Sequence, residues 1–180
     1  LAGDFQISNV ATAIATIRNL DKFNISEKHI KKGITKIKSE GRLQTITKGN
    51  LRKYVSKKNQ ILIDGAHNPL AATQVKKYLE TLGKPKKIIM ILGMMFNKEH
   101  KKFITIFKNS INSVVVLDIP NQVNAIKKEN LVKIVQSVGL KAKTENSIEI
   151  ALKNISRKNK NAIIFCTGSL YFAGEILNLN

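Results

Sequence analysis

Two stretches constrain the fold of this chain more than any others: KIIMILG at positions 87–93 and AIIFCTG at 162–168. Each is apolar at consecutive positions, so a strand there needs cover on both faces. Shorter stretches of the same kind are QILID at 60–64 and SVVVLDI at 113–119. Between them, apolar residues recur at three- and four-residue steps, which predicts helices over 69–82, 98–108, 127–138, 147–155 and 169–177. A weaker strand, KAKT, fills 141–144. Such alternation implies an α/β fold, a largely parallel, doubly wound sheet with helices on both faces.

Upstream the pattern differs. Ile7, Val10, Ala11, Ile14, Ile17 and Leu20 lie on one face of a helix from Asp4, its expected N-cap, to Leu20. A second helix is expected from Ser26, as cap, to about Lys38. RLQTI at 42–46 and LRKYV at 51–55, separated by Lys48-Gly49-Asn50, read as strands. The boundary between helical leader and α/β domain falls near Ser39 to Arg42, giving units 1–39 and 40–180.

Composition narrows the function. A hydrophobic share of 43% with 24% charged residues excludes a disordered chain, and no apolar run reaches the length of a membrane span. The start lacks the ordered segments of a signal peptide, so the cytoplasm is the expected compartment and no membrane partner is expected. The lone Cys166 permits no internal disulfide and gives no metal-ligand spacing, so no metal site is assigned. The net charge of +19 suggests an anionic partner, yet the basic residues are 27 Lys and only 4 Arg. Arginine is the residue that grips phosphates bidentately and reads bases, so the excess reads as solvated surface and not as a nucleic-acid interface.

In an open parallel sheet, ligands bind beyond the carboxyl ends of the strands. LIDGAHNP at 62–69 sits at such an end. Asn68 and Pro69 are explained by helix capping alone, whereas Asp64 and His67 are not. A carboxylate there suits ribose hydroxyls, and the imidazole suits a nucleotide or a carboxylate. Ser169 in CTGSLYFAGE opens the last expected helix, where it caps the helix or binds an anion. Arg42, at the boundary, is a surface residue or a phosphate clamp. His29 and His100 lie in lysine-rich helical stretches and are expected to be exposed. Gly83-Lys84 is followed by Pro85, so no phosphate-loop motif is present, and there is no G-x-G-x-x-G fingerprint.

LAGDFQISNVATAIATI, GRLQ, ILIDGAHNP and TGSLYFAGE, in that order, resemble successive motifs of folylpolyglutamate synthase and the related bifunctional dihydrofolate synthase, which belong with the Mur ligases. The resemblance implies the end of a central ATPase domain (1–39) followed by a complete C-terminal, Rossmann-like glutamate-ligase domain (40–180). It implies ATP, L-glutamate and dihydropteroate or a folate as substrates, with an acyl phosphate as intermediate. It also implies magnesium, held by residues of an N-terminal region this chain lacks, and hence no turnover by these residues alone. By the same resemblance, Asn9 approaches the adenine, Arg42 the nucleotide phosphates and Asp64 the nucleotide, while His67 and Ser169 handle glutamate. Asn97-Lys98-Glu99 stands where many relatives have Asp-Lys-Asp. Two alternatives stay open on the sequence: another Mur-type ligase acting on a cell-wall precursor, and a noncatalytic basic binding module.

Overall fold

The computed structural model describes residues 2–82 and 87–180; Gly83, Lys84 and Pro85 lie outside that range. Two helices open the chain, α1 (Phe5–Arg18) and α2 (Glu27–Lys36). Strand β1 (Gln44–Ile46) and a short 3-10 helix (Asn50–Tyr54) follow. Then come β2 (Gln60–Ile63), α3 (Pro69–Thr81), β3 (Lys87–Leu92), α4 (His100–Ile106), β4 (Ser113–Val116) and α5 (Lys128–Ser137). The last elements are β5 (Ala142–Thr144), α6 (Ile148–Lys158), β6 (Ala162–Thr167) and α7 (Leu170–Asn178).

The six strands form one sheet in the order β1-β2-β6-β3-β4-β5, antiparallel only between β1 and β2. Successive side chains point to opposite faces, so each doubly apolar strand feeds two cores. Leu62, Met90, Val114, Ile163 and Phe165 meet α3, α4 and α5 through Val75, Leu79, Phe103, Ile104 and Leu131. Ile61, Ile63, Ile89, Ile91, Val115 and Ile164 meet α6 and α7 through Leu152, Ile155, Phe172 and Ile176. Burying each such side chain contributes about 1.5–3 kcal/mol, which is why the consecutive apolar runs dictate a sheet covered on both sides. Cys166 lies in the second core, and burial pushes its thiol up to about 12. Among the described residues no helix is long and apolar enough to cross a membrane.

Several helix starts follow from local chemistry. The side-chain oxygens of Ser26, Asn68, Ser147 and Ser169 accept amides from His29, Ala71, Ile150 and Tyr171. Asp4 departs from the expected cap: it adopts a helical conformation itself and makes no side-chain capping bond. Helix α4 starts at His100 and not at Lys98, because the Lys98 carbonyl accepts the His100 amide and Glu99 leaves the helical region.

LRKYV is not a strand but most of the 3-10 helix, and tertiary contacts explain the change. The Asn50 amide donates to the Asn180 carbonyl at 2.9 Å and the Leu51 amide to the Asn180 side chain at 3.3 Å. Leu51 is driven into the second core at 1% exposure, and Arg52 donates to the carbonyls of Ser56 and Asn59. With these amides committed, no ladder can form. The leader differs too: neither α1 nor α2 buries a residue, and Ile7, expected on an inward face, is 72% exposed.

Candidate functional site

The carboxyl ends of β2, β6 and β3 are laced together by their backbones. The Asp64 amide donates to the Cys166 carbonyl, Gly168 to Ala66 and Gly93 to Thr167, and the Thr167 hydroxyl donates to the Ala66 carbonyl. Close approach needs glycine here. A Cβ on Gly168, whose φ is +113°, would lie 2.5 Å from the Gly93 carbonyl oxygen.

Two cavities open on this rim. One, of about 720 Å³, lies between the start of α1, the segment before β1 and the start of α3; Asn9, Arg42 and Asp64 line it, with Asp4, Asn68 and Gln74. The other, of about 530 Å³, lies between the turns after β2, β3 and β6; His67 and Ser169 line it, with Asn97, Lys98, Asn124 and Tyr171. Asp64 and His67, three residues apart, thus face different cavities.

In the first cavity Asp64 is 2% exposed. One carboxylate oxygen accepts the Leu43 amide at 2.9 Å and the other the Ala66 amide at 2.7 Å. Burial pushes its carboxyl above the ordinary range, opposed by those two amides and by the charges of Arg42 and His67. Leu43 has φ +47°, a left-handed conformation that costs a residue with a Cβ about 1–2 kcal/mol, while its side chain is buried in the first core. Arg42 is half-buried, and among the described residues its guanidinium enters no ion pair. The cavity therefore has a cation that closes no salt bridge, although Asp4 and Asp64 line the same space, and a guanidinium so placed can take a phosphate. Asn9 donates its side-chain amide to the Gln6 side-chain oxygen Oε1, which leaves the Asn9 side-chain oxygen as an acceptor.

In the second cavity His67 is half-buried, with Nδ1 3.0 Å from the Gly65 carbonyl oxygen. A carbonyl only accepts, so Nδ1 carries a proton, and in its uncharged form the ring has its acceptor at Nε2. Ser169 is 2% exposed; its oxygen accepts the Tyr171 amide, and its hydroxyl proton remains to be donated. Lys98 brings positive charge. It stands on a turn fixed by the Phe96 amide donating to Asn124 and the Ile126 amide to Met94. His100, expected to be exposed, is half-buried because its Nε2 lies 2.8 Å from the Met95 carbonyl and holds the same turn. His29 is exposed and closes the capping box of α2.

The sequence had marked Asn9, Arg42, Asp64, His67 and Ser169. It did not assign roles to Lys98, Asn124 or Tyr171. Tyr171 lies within the TGSLYFAGE motif and Lys98 within the departing tripeptide, so both carried a signal; Asn124 carried none. Among the described residues, no three His, Cys, Asp or Glu side chains come together so as to hold a metal ion.

A family model described as "Dihydrofolate synthetase, C-terminal domain" matches residues 47–179. The dihydrofolate synthase/folylpolyglutamate synthase of Buchnera aphidicola is 30% identical over 177 residues, 96% of this chain and 39% of that protein. The dihydrofolate synthetase of Saccharomyces cerevisiae is 23% identical over 193 residues, 100% of this chain and 45% of that protein. Among structures, Mycobacterium tuberculosis folylpolyglutamate synthase, solved with ADP and AMPPCP, superposes with a TM-score of 0.82 at 20% identity, covering 99% of this chain and 40% of that one. E. coli FolC, solved with DHPP and ADP, gives 0.73 at 20% identity, over 94% and 38%. The chain thus spans less than half the length of these relatives. With the family model covering residues 47–179 and a relative 30% identical over 96% of the chain, this chain belongs to the dihydrofolate synthetase family and carries its C-terminal domain.

Proposed function

We propose that this chain is the glutamate-handling part of an ATP-dependent ligase that joins L-glutamate to dihydropteroate or to folate (poly)glutamates. The observation that carries the reading is the pair of cavities on one sheet rim. One has an unpaired guanidinium suited to phosphate, and the other has lysine, imidazole and hydroxyl groups suited to an amino acid. Residues 1–39 belong with a neighbouring ATPase domain in this reading, supported by the absence of any buried residue in α1 and α2.

In the first step the acceptor's carboxylate oxygen attacks the γ-phosphorus of ATP, and ADP departs. Arg42 meets the phosphates, while Asn9 offers its side-chain oxygen to the exocyclic amine of adenine. In the second step the amine of glutamate attacks the acyl carbon, and phosphate leaves as the amide forms. Lys98 holds a glutamate carboxylate and Ser169 donates its hydroxyl proton to it. His67, with its acceptor at Nε2, takes the proton that the amine releases. Holding both reactants on one rigid rim lowers the entropic cost of their meeting. Magnesium would neutralise the triphosphate, but these residues supply no ligand set for it, and no step above passes through it.

Titration of the isotope-labelled chain with ADP and, separately, L-glutamate tests the reading. Losing a charge-assisted hydrogen bond costs about 1.5–3 kcal/mol, so Arg42→Ala should weaken ADP about tenfold or more and spare glutamate, with Lys98→Ala doing the reverse. Parallel loss of both ligands in either variant, or of neither in both, would refute it. The chain alone should consume no ATP, because groups outside it complete the reaction.

A further inference from the structure

The second core covers its face of the sheet unevenly. Helices α6 and α7 both pack on β6, whereas β4 and β5 are backed by α5 on the opposite face. A third cavity, of about 280 Å³, is left between β3, β4 and β5 on one side and the end of α6 on the other. Buried Ile89 and Val115 form its floor and buried Ile155 its wall. Ser113 opens β4, Lys141 precedes β5 and Lys158 ends α6 ahead of β6, so this cavity lies at the amino ends of the strands, away from the rim. Lys141, Lys143 and Lys158 line it and are exposed. Lys143 is paired with Glu145, to which Asn154 also donates. Among the described residues neither Lys141 nor Lys158 closes a salt bridge, so the mouth is net positive.

We propose that this cavity binds a small aromatic carboxylate: the ring lies against Ile89, Val115 and Ile155, and the carboxylate meets the amines of Lys141 and Lys158, with the Ser113 hydroxyl as a further donor. Lysines on an open surface would support no such reading; here they flank a recess floored by buried apolar side chains, which calls for a ligand with one apolar and one anionic end. The volume lies just below the roughly 300 Å³ at which pockets for drug-sized molecules begin, so it suits a single ring and excludes a larger body. The carboxyl end of a helix repels an anion, and the chain offsets this at α6. Lys158 supplies positive charge there, and the Asn159 backbone and side-chain amides both donate to the Ile155 carbonyl, at 2.9 and 3.2 Å.

Titration of the isotope-labelled chain with benzoate, with neutral benzamide and with sulfate, at constant ionic strength, tests this by amide chemical shifts. Benzoate should saturate at about 10 mM or lower, as so small a ligand allows, and should move the amides of Ser113, Val115, Lys143 and Asn154 together. Benzamide keeps the ring but lacks the charge, so it should bind about tenfold or more weakly. Sulfate has the charge but no ring, and should not saturate these amides over the same range. Replacing both cations, by Lys141→Gln with Lys158→Gln, should weaken benzoate about tenfold and leave benzamide unchanged. Ser113→Leu, which fills the recess, should weaken both. If that variant does not fold, the exposed lysine pair decides alone. Equal affinity for acid and amide, saturation by sulfate at the same residues, or undiminished benzoate binding without the two lysines would overturn the proposal. Shifts confined to His67, Lys98 and Ser169 would do so too, by placing the acid on the rim. Neither ADP nor glutamate enters the experiment, so its outcome is independent of the ligase reading.

Discussion

At the scale of single residues, the rim is shaped as much by missing side chains as by present ones. Gly65 and Gly168 both meet close neighbours, but of different kinds. A Cβ at Gly65 would strike Leu170, whose side-chain end lies 2.2 Å away and can move, whereas one at Gly168 would strike a backbone carbonyl at 2.5 Å in a left-handed conformation. Gly168→Ala should therefore destabilise the fold by about 3 kcal/mol, combining backbone strain with overpacking, and Gly65→Ala by less. Urea unfolding of the two variants checks the order; equal losses would show that the carbonyl contact does not decide it. Residues whose roles are local were legible in the sequence. Ser26, Asn68 and Ser169, each expected as a cap, bond an amide two or three positions ahead. Asp64 was marked but its engagement was not foreseeable, because its partner at Leu43 is 21 residues away.

Among elements, periodicity found every strand of the parallel part and all seven α-helices of the described residues, with ends displaced by a few residues. It failed at LRKYV because alternation of side-chain type reports only what a strand there would look like, not whether a partner edge exists. The amides that would have paired are taken by Asn180, 129 residues from Leu51. The same contrast orders two substitutions. Leu51→Ala empties a buried site and should cost about 2–5 kcal/mol, whereas Ile7→Ser on exposed α1 should change stability by less than about 0.5 kcal/mol. Thermal or urea unfolding of both variants is the check, and a large loss at Ile7 would mean that α1 is packed in solution. The site divides the same way: Lys98 and Asn124 meet only because the turns after β3 and β4 are bonded to each other, a contact that no spacing along the chain reports.

For the molecule as a whole, the decisive feature is the strand order. β6, between β2 and β3, is made last but lies within the sheet, and its six residues are all buried. A chain ending at Lys160 should therefore show no cooperative unfolding transition by circular dichroism, although it retains five of the six strands; a sharp transition would mean that β2 and β3 can close on each other. During synthesis the ribosome delivers β2 and β3 long before the strand that will separate them. Their inner edges and apolar faces must wait unsatisfied until residue 167 has emerged, a window in which such surfaces invite association with other nascent chains. With a net charge of +19, such encounters between copies of the chain are opposed by like-charge repulsion.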